Sequence, residues 1–477
     1  KKSAEKDNVH VTYSGNVSFQ NVAKPIETGG LNGMFYTVQA FERTGGTVAG
    51  YPWYVTRSSY EAAKAWDKKY SGVVGKNDPM VYGRDYYSDG SRTYGLRLYK
   101  AMDYMIGKNV PSTQHSISVS GNKGRTNFNV GLGYLKQNGM TAPAADDSFT
   151  RWNSNVRVNT QITDWLNVRA GLMFTKSTKA YPYNTAVGNA DPWLYLYRWA
   201  EYVPSMARNG ENGAYMRGPA GEIALSNTAT HDTFYTSATV GTTITPIKNW
   251  DINFDYTYAV TSTSQIRPGT RFYAYDTWSQ PALLYNEDGS AKMINNEWNE
   301  FNGLGSQIQD RGYSEIWYTS KGSGIDHIRQ SSSHAHRNTI NATTTYDLSI
   351  ADAHNFKFML GLNSVAYQSE SVWAQKTTLL DVKNPQFDLA TGTMTNGGGW
   401  SWNSTLGYFG RINYNYKERY LLEANVRYDG TSKFPGKLKW AWFPSFSAGW
   451  RVSEEPWMQG AKSVLSGLKI RASWFYR

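Results

Sequence analysis

The strongest regularity along the chain is a period of two. In "RTNFNVGLGYL" the apolar positions Phe128, Val130, Leu132 and Tyr134 alternate with Asn127, Asn129, Gly131 and Gly133. "NVRAGLMF" sets Val168, Ala170, Leu172 and Phe174 against Asn167, Arg169 and Gly171. "DINFDYTYAV" sets Ile252, Phe254, Tyr256 and Tyr258 against Asp251, Asn253, Asp255 and Thr257. "RINYNYKERYLLEANVRYDGTSKF" does the same with Ile412, Tyr414, Tyr416, Leu422, Ala424, Val426 and Tyr428. Successive side chains of a strand point to opposite faces, so each run predicts a strand with one apolar and one polar face. The predicted strands are 9–20, 114–121, 125–136, 150–161, 165–176, 233–245, 248–260, 338–349, 354–367, 404–416, 419–430, 441–452 and 467–474. Their alternating runs, ~9–12 residues, exceed the ~5–6 of an ordinary globular strand and match a tilted bilayer crossing.

The connections predict which end is which. Short turns fall at "GNKGR" (121–125), "QITDW" (161–165), "TPIKN" (245–249), "SIADAH" (349–354) and "YKER" (416–419). Long segments, 21–113, 177–232, 261–337 and 368–403, lie between the hairpins. Short turns at one end and long loops at the other are the topology of a transmembrane antiparallel β-barrel. Tyr134, Trp165, Trp250, Tyr258, Tyr346, Tyr416, Tyr420, Tyr428 and Trp442 fall near strand ends, as interfacial girdles require. The competing reading of the same alternation is a soluble β-rich protein, in which the apolar face is a core. In the barrel reading residues 1–8 lead into the first strand and 9–477 form the barrel. The odd strand number leaves two open edges, which lipid does not tolerate, so the expectation is part of a larger barrel.

Composition adds constraints. The 477 residues exceed one compact domain of ~100–200 residues. The mean hydropathy of −0.58 suits a soluble protein, but barrel strands average out to the same value. There is no run of about 18 apolar residues that would make a transmembrane helix. The absence of cysteine excludes disulfides and thiolate chemistry. The start, "KKSAEKDNVHVTYSG", has no apolar stretch and predicts no signal peptide. A net charge of +11 without dense Lys/Arg blocks reads first as a basic surface against anionic lipid or lipopolysaccharide, second as a site for an anionic ligand, and not as a nucleic-acid surface.

Candidate chemistry is sparse. His334 and His336 share a strand face but lack a third metal ligand at suitable spacing. "NEDGS" (286–290) and "DYYSDGS" (85–91) read as turns rather than calcium loops. No phosphate loop or assignable carboxylate pair is present, so no enzyme, metal or cofactor is expected. "YEAAKAWDKKY" (60–70) predicts a short helix within the first long loop. Aromatic residues in polar loop surroundings are the better candidates: Trp193, Tyr197, Trp278, Trp298, Trp317, Trp400 and Trp402. Such rings stack on sugars, but equally they meet a protein partner or pack the loops themselves. Arg157, Arg169, Arg411, Glu423 and Arg427 fall on the polar strand face, where they would meet a wet lumen or whatever fills it.

One stretch is specific enough to carry a resemblance. "GRINYNYKERYLLEANVRYDGTSKFPGKLKWAWFPSFSAGWRVSEEPWM", residues 410–458, resembles the SusC/RagA family of TonB-dependent outer-membrane transporters of Bacteroidetes. "SISVSGNKGRTNFNVGLGYLKQNGM" (116–140), "LKIRASW" (468–474) and the opening "KKSAEKDNVHVTYSGNVSFQ" resemble other parts of that barrel. The resemblance implies a 22-stranded barrel closed by a plug that precedes Lys1, with further strands after Arg477. It implies import of oligosaccharides or peptides, a SusD-like lid lipoprotein and energy from TonB. The alternatives are a soluble or surface β-rich glycan-binding protein and, where no plug is present, a passive porin.

Overall fold

The structure is a computed structural model. It describes residues 8–45, 53–183, 196–208, 214–269, 271–298, 302–318 and 326–476. One antiparallel sheet of thirteen strands dominates, and every strand neighbours the next in sequence. The strands are β1 (Val9–Gln20), β2 (Val110–Lys123), β3 (Thr126–Asn138), β4 (Ser148–Thr163) and β5 (Leu166–Tyr183). Then follow β6 (Asn227–Ile247), β7 (Trp250–Gly269), β8 (His327–Ile350), β9 (His354–Thr377) and β10 (Met394–Tyr416). The last three are β11 (Tyr420–Thr431), β12 (Trp440–Arg451) and β13 (Lys469–Phe475). Each predicted run lies on one of them.

The register keeps the two faces separate across the sheet. Val130, Val156, Leu172, Ala238, Tyr258, Asn338 and Ala366 follow one another through successive cross-strand pairs. This apolar face is exposed: Val156 at 36%, Leu172 at 58%, Phe254 at 44% and Leu422 at 51%. A soluble β-protein buries such a face; here nothing covers it, which is the condition of a lipid-facing wall. Two aromatic girdles bound it. Trp165, Trp250, Tyr346, Tyr416, Tyr420 and Trp450 mark the short-turn end, with Trp250 opposite Tyr346 and Tyr420 opposite Trp450. At the other end, Tyr134 packs on Trp152 and Tyr428 on Trp442, each at 4.3 Å between ring centroids.

The five short turns lie at one end, as expected. Several demand the left-handed region: Gly124, Asn249, the pair Ala351–Asp352 and the pair Lys417–Glu418. Two consecutive positive φ values make the mirror-image turn whose twist matches a hairpin. Lys417–Glu418 adopts it without glycine or asparagine, and Arg451 supports it by donating to the Glu418 carbonyl and carboxylate. The β12–β13 connection, 452–468, also belongs to this end and is longer than the other turns.

Strand lengths depart from expectation. β8 and β9 have 24 residues and β10 has 23, about twice the predicted runs. Higher up, the outward face becomes mixed, with Ser262, His334, Gln368 and Glu370 beside Val372, Trp400 and Trp402, so regular apolar alternation stops while the ladder continues. The long outer segments shrink accordingly: 261–337 begins and ends as strand, and so does 368–403.

The core of the molecule lies outside the sheet. Segments 53–105, 196–223 and 275–313 bury Trp53, Trp66, Tyr86, Tyr99, Leu196, Met216 and Trp298 in one cluster. Helix α1 (Gly30–Thr44) packs on helix α2 (Arg57–Tyr70), which contains the predicted 60–70 helix and starts at a Thr56/Ser59 capping box. The buried Asp85 accepts from Trp66 Nε1, from the Val81 N–H and from Arg84, and thereby ties α2 to the strand Tyr86–Ser88. Arg97 spends its guanidinium on the carbonyls of Asp78, Gly75 and Lys76. Buried Asp85 and Arg97 are thus matched inside the loop assembly, as burial requires.

Candidate functional site: the inward wall and the loop assembly

The inward face is built by the same register. Arg151, Arg157, Arg169, Arg267, Arg329, Arg337, Arg411 and Arg427 all occupy it. The inward acids are Asp251, Asp255, Asp347, Glu423 and Asp429. The strand arginines thus face the lumen, whereas Lys136 and Lys176 lie on the outward parity of β3 and β5.

The predicted lumen residues divide by partner. Arg169 makes a two-pronged contact with Asp255 at 3.0 Å and donates to Thr243 at 2.7 Å. Arg427 pairs with Asp429 at 2.8 Å and lies 5.5 Å from the Phe409 ring. Phe409 lies flat over Gly361, where a Cβ would collide with its ring. Arg411 Nε donates to Asn425 Oδ1 at 2.6 Å, and Asn425 donates to Glu423 at 2.8 Å. Arg157, opposite Asn129 and Gly171, has no carboxylate beside it.

The aromatic candidates do not form one site. Trp193 lies outside the described residues. Trp298 is 1% exposed and meets Tyr70 edge-on at 5.4 Å, so it packs the loop core and does not offer a face. Trp278 is exposed, with Arg217 5.5 Å from its ring. Trp317 is exposed, packs on its strand partner Tyr273 at 5.1 Å and carries Arg271 at 4.8 Å. Tyr197 is exposed beside the buried Leu196 and Trp199. Trp400 and Trp402 are in β10, not in a loop, opposite Glu370 and Gln368 on the outward face. Expected loop exposure gives way to strand geometry there, because the β9–β10 ladder runs on past the apolar belt.

His334 and His336 share the outward face as expected; His334 contacts Ser262 at 2.8 Å and His336 contacts Gln368 at 3.3 Å. Among the described residues no group of three or more His, Asp or Glu could hold a metal. In "NEDGS" Asp288 accepts from Ser290, and in "DYYSDGS" Asp89 accepts from the N–H groups of Ser91 and Arg92, so both are turns.

One buried acid stands out. Glu222, in helix α3 (Pro219–Leu225), is 4% exposed; Arg217 Nε donates to its Oε1 at 3.0 Å, while its Oε2 has no partner. Burial outweighs the arginine and raises its carboxyl to about 7.

The sheet and its outer loops can be compared with known proteins. The chain superposes on the RagAB peptide transporter over 99% of its own length with a TM-score of 0.64, at 16% identity and over 47% of that chain. An "open-open" RagAB peptide importer gives a TM-score of 0.63 over the same shares. At these identities the match establishes the fold. In sequence, the TonB-dependent receptor SusC of Bacteroides thetaiotaomicron is 42% identical over 72 residues, 15% of this chain and 7% of that protein. Over those 72 residues the chain is similar to SusC. TonB-dependent receptor P26 of Formosa agariphila is 45% identical over 67 residues, 14% of this chain and 7% of its own length. No family model matches the chain. The SusC-like sheet crosses the outer membrane with strands, its apolar belt in the bilayer and its loop assembly beyond the upper girdle. It covers about half of the solved chains it matches, 47%.

Sequence reading missed Arg267, Arg329, Arg337 and Trp373, which fell in spans taken as loops. Their signal was parity: each lies an even number of residues from an inward position of the same strand.

Proposed function

We propose that the protein is the barrel-forming subunit of an energised outer-membrane importer for oligosaccharides or peptides, working with a SusD-like lid lipoprotein and with TonB. The observation that carries this reading is the exposed apolar belt between two aromatic girdles, on a sheet that matches the RagAB transporter barrel. The polar inward face then forms the wall of the import path. The loop assembly, with its own core, is the rigid outer mouth on which a lid would seat. Among the described residues β1 and β13 each have a single strand neighbour, so further strands close the barrel. Arg157, Arg169, Arg411, Glu423 and Arg427 then border whatever fills the lumen, and contact with a plug is their expected role.

The test is uptake by cells that carry the protein. Labelled oligosaccharides and peptides should enter only with TonB and a proton-motive force. Affinity capture in mild detergent should bring down a lid lipoprotein. Uptake that persists in de-energised cells would make it a passive pore instead.

A further inference from the structure

The charge on the inward wall changes with height. Lower on the wall acids accompany the cations, as in Arg169–Asp255 and Lys357–Asp347, and on β11 Arg427 pairs with Asp429 beside the upper girdle. From Arg337 upward, the inward positions of β3 to β10 hold no carboxylate among the described residues, yet they hold Arg151, Arg267, Arg329 and Arg337. Arg267 and Arg329 are direct cross-strand partners on β7 and β8. Like charges directly opposite destabilise a sheet, so the pair is a local conflict that an anion would relieve.

Both guanidiniums are held by neutral groups. Arg329 lies 3.9 Å from the centroid of Trp373, and Trp373 rests on Gly397, where a Cβ would come within 2.8 Å of its ring nitrogen. Arg267 donates to the side chain of Gln265, which donates in turn to the Tyr181 hydroxyl at 3.0 Å. The Nε atoms of Arg267 and Arg329 are both buried without a partner. The acid next to β8 in sequence, Asp326, is already held by Arg271 and by the Leu379 N–H. A positioned guanidinium pair with no carboxylate beside it among the described residues suits a carboxylate or a sulfate ester.

We propose that this upper wall selects anionic oligosaccharides, with the Arg267–Arg329 pair engaging their carboxylate or sulfate groups and Arg337 the next group along. The surroundings favour a glycan over an acidic peptide. The neighbouring inward side chains include the hydroxyls of Thr263, Ser331 and Ser333 and the rings of Trp373 and Tyr181, and hydroxyls beside rings suit sugars. This deepens the importer reading and rests on it.

The experiment measures binding of the detergent-solubilised complex of the protein with its lid to three glycan probes of equal length. These are a galacturonate oligomer, its methyl ester and a sulfated oligosaccharide; a polyglutamate peptide serves as competitor. The galacturonate oligomer should bind at least tenfold tighter than its ester, and rising salt should erode the difference. Arg267→Gln with Arg329→Gln should abolish the preference, bringing acid and ester to equal binding. Arg329→Lys should retain only part of it, since it keeps the charge but loses the fork. Preference for the sulfated probe over galacturonate would identify sulfate as the group read. Equal binding of acid and ester, an unchanged preference in the double variant, or stronger competition by polyglutamate than by glycan would overturn the proposal. TonB-dependent uptake of neutral glycans in those cases leaves the importer reading standing. Loss of all TonB-dependent uptake removes both.

Discussion

At the scale of single residues, stability is concentrated in the loop assembly. Trp298 fills its interior against Tyr70, and large-to-small changes at such sites cost ~3–5 kcal/mol. Trp298→Ala should therefore expose segments 53–105 and 275–313 to protease while the sheet keeps its heat-modifiable gel mobility. Trp317→Ala, at an exposed site, should change neither readout. Glu222 adds a pH dependence. Its folded carboxyl titrates near 7, above its ordinary 4.5, because it is buried. The folded state therefore holds its proton where the unfolded chain has lost it. The neutral form's stabilisation is complete below the ordinary value and is lost as pH rises through about 7, on the order of 1–3 kcal/mol. Hydrogen exchange of Pro219–Leu225 should accelerate between pH 5 and 8, and Glu222→Gln should flatten that profile. An unchanged profile in the variant would assign the pH dependence to another group.

At the scale of elements, the two faces of a strand should tolerate charge differently. Leu422 and Asn425 are three residues apart on β11, one outward and one inward. Arginine at a lipid-facing mid-barrel position costs about 2–4 kcal/mol, whereas the lumen is wet. Leu422→Arg should lower the folded fraction in vesicles, and Asn425→Asp, which sets its charge opposite Arg411, should not; equal effects would mean the apolar face is not in lipid. The same alternation is why the sheet was legible from sequence. Val156, Leu172, Phe254 and Leu422 repeat at period two wherever the strand meets lipid. The upper halves of β7 to β10 were not legible, because there the outward face is mixed and Ser331–His336 looks like a loop. The loop core was illegible for a different reason. Trp298 and Tyr70 are brought together by tertiary packing between segments far apart in the chain, which no local period records. Trp400 and Trp402 combine both effects: a glycine run suggests a loop, while the ladder to β9 makes it a strand.

At the scale of the whole molecule, the two stabilising principles are separated in space. Below the upper girdle, cohesion comes from backbone ladders, with lipid outside and water inside. Above it, cohesion comes from an aromatic core of the soluble kind. The consequence lies at the edges. Among the described residues β1 pairs only with β2 and β13 only with β12, so each presents a row of backbone N–H and C=O groups with no neighbour. In hydrocarbon each unsatisfied group costs several kcal/mol, far more than the few kcal/mol of net stability a domain has. Residues 1–477 expressed alone should therefore fail to give a heat-modifiable band in lipid vesicles. The loop assembly, whose core does not depend on sheet closure, should still resist protease. A longer protein that supplies the closing strands should give the band. A folded, monomeric barrel from residues 1–477 alone would show that the two edges find each other, and would overturn the expectation of a larger barrel.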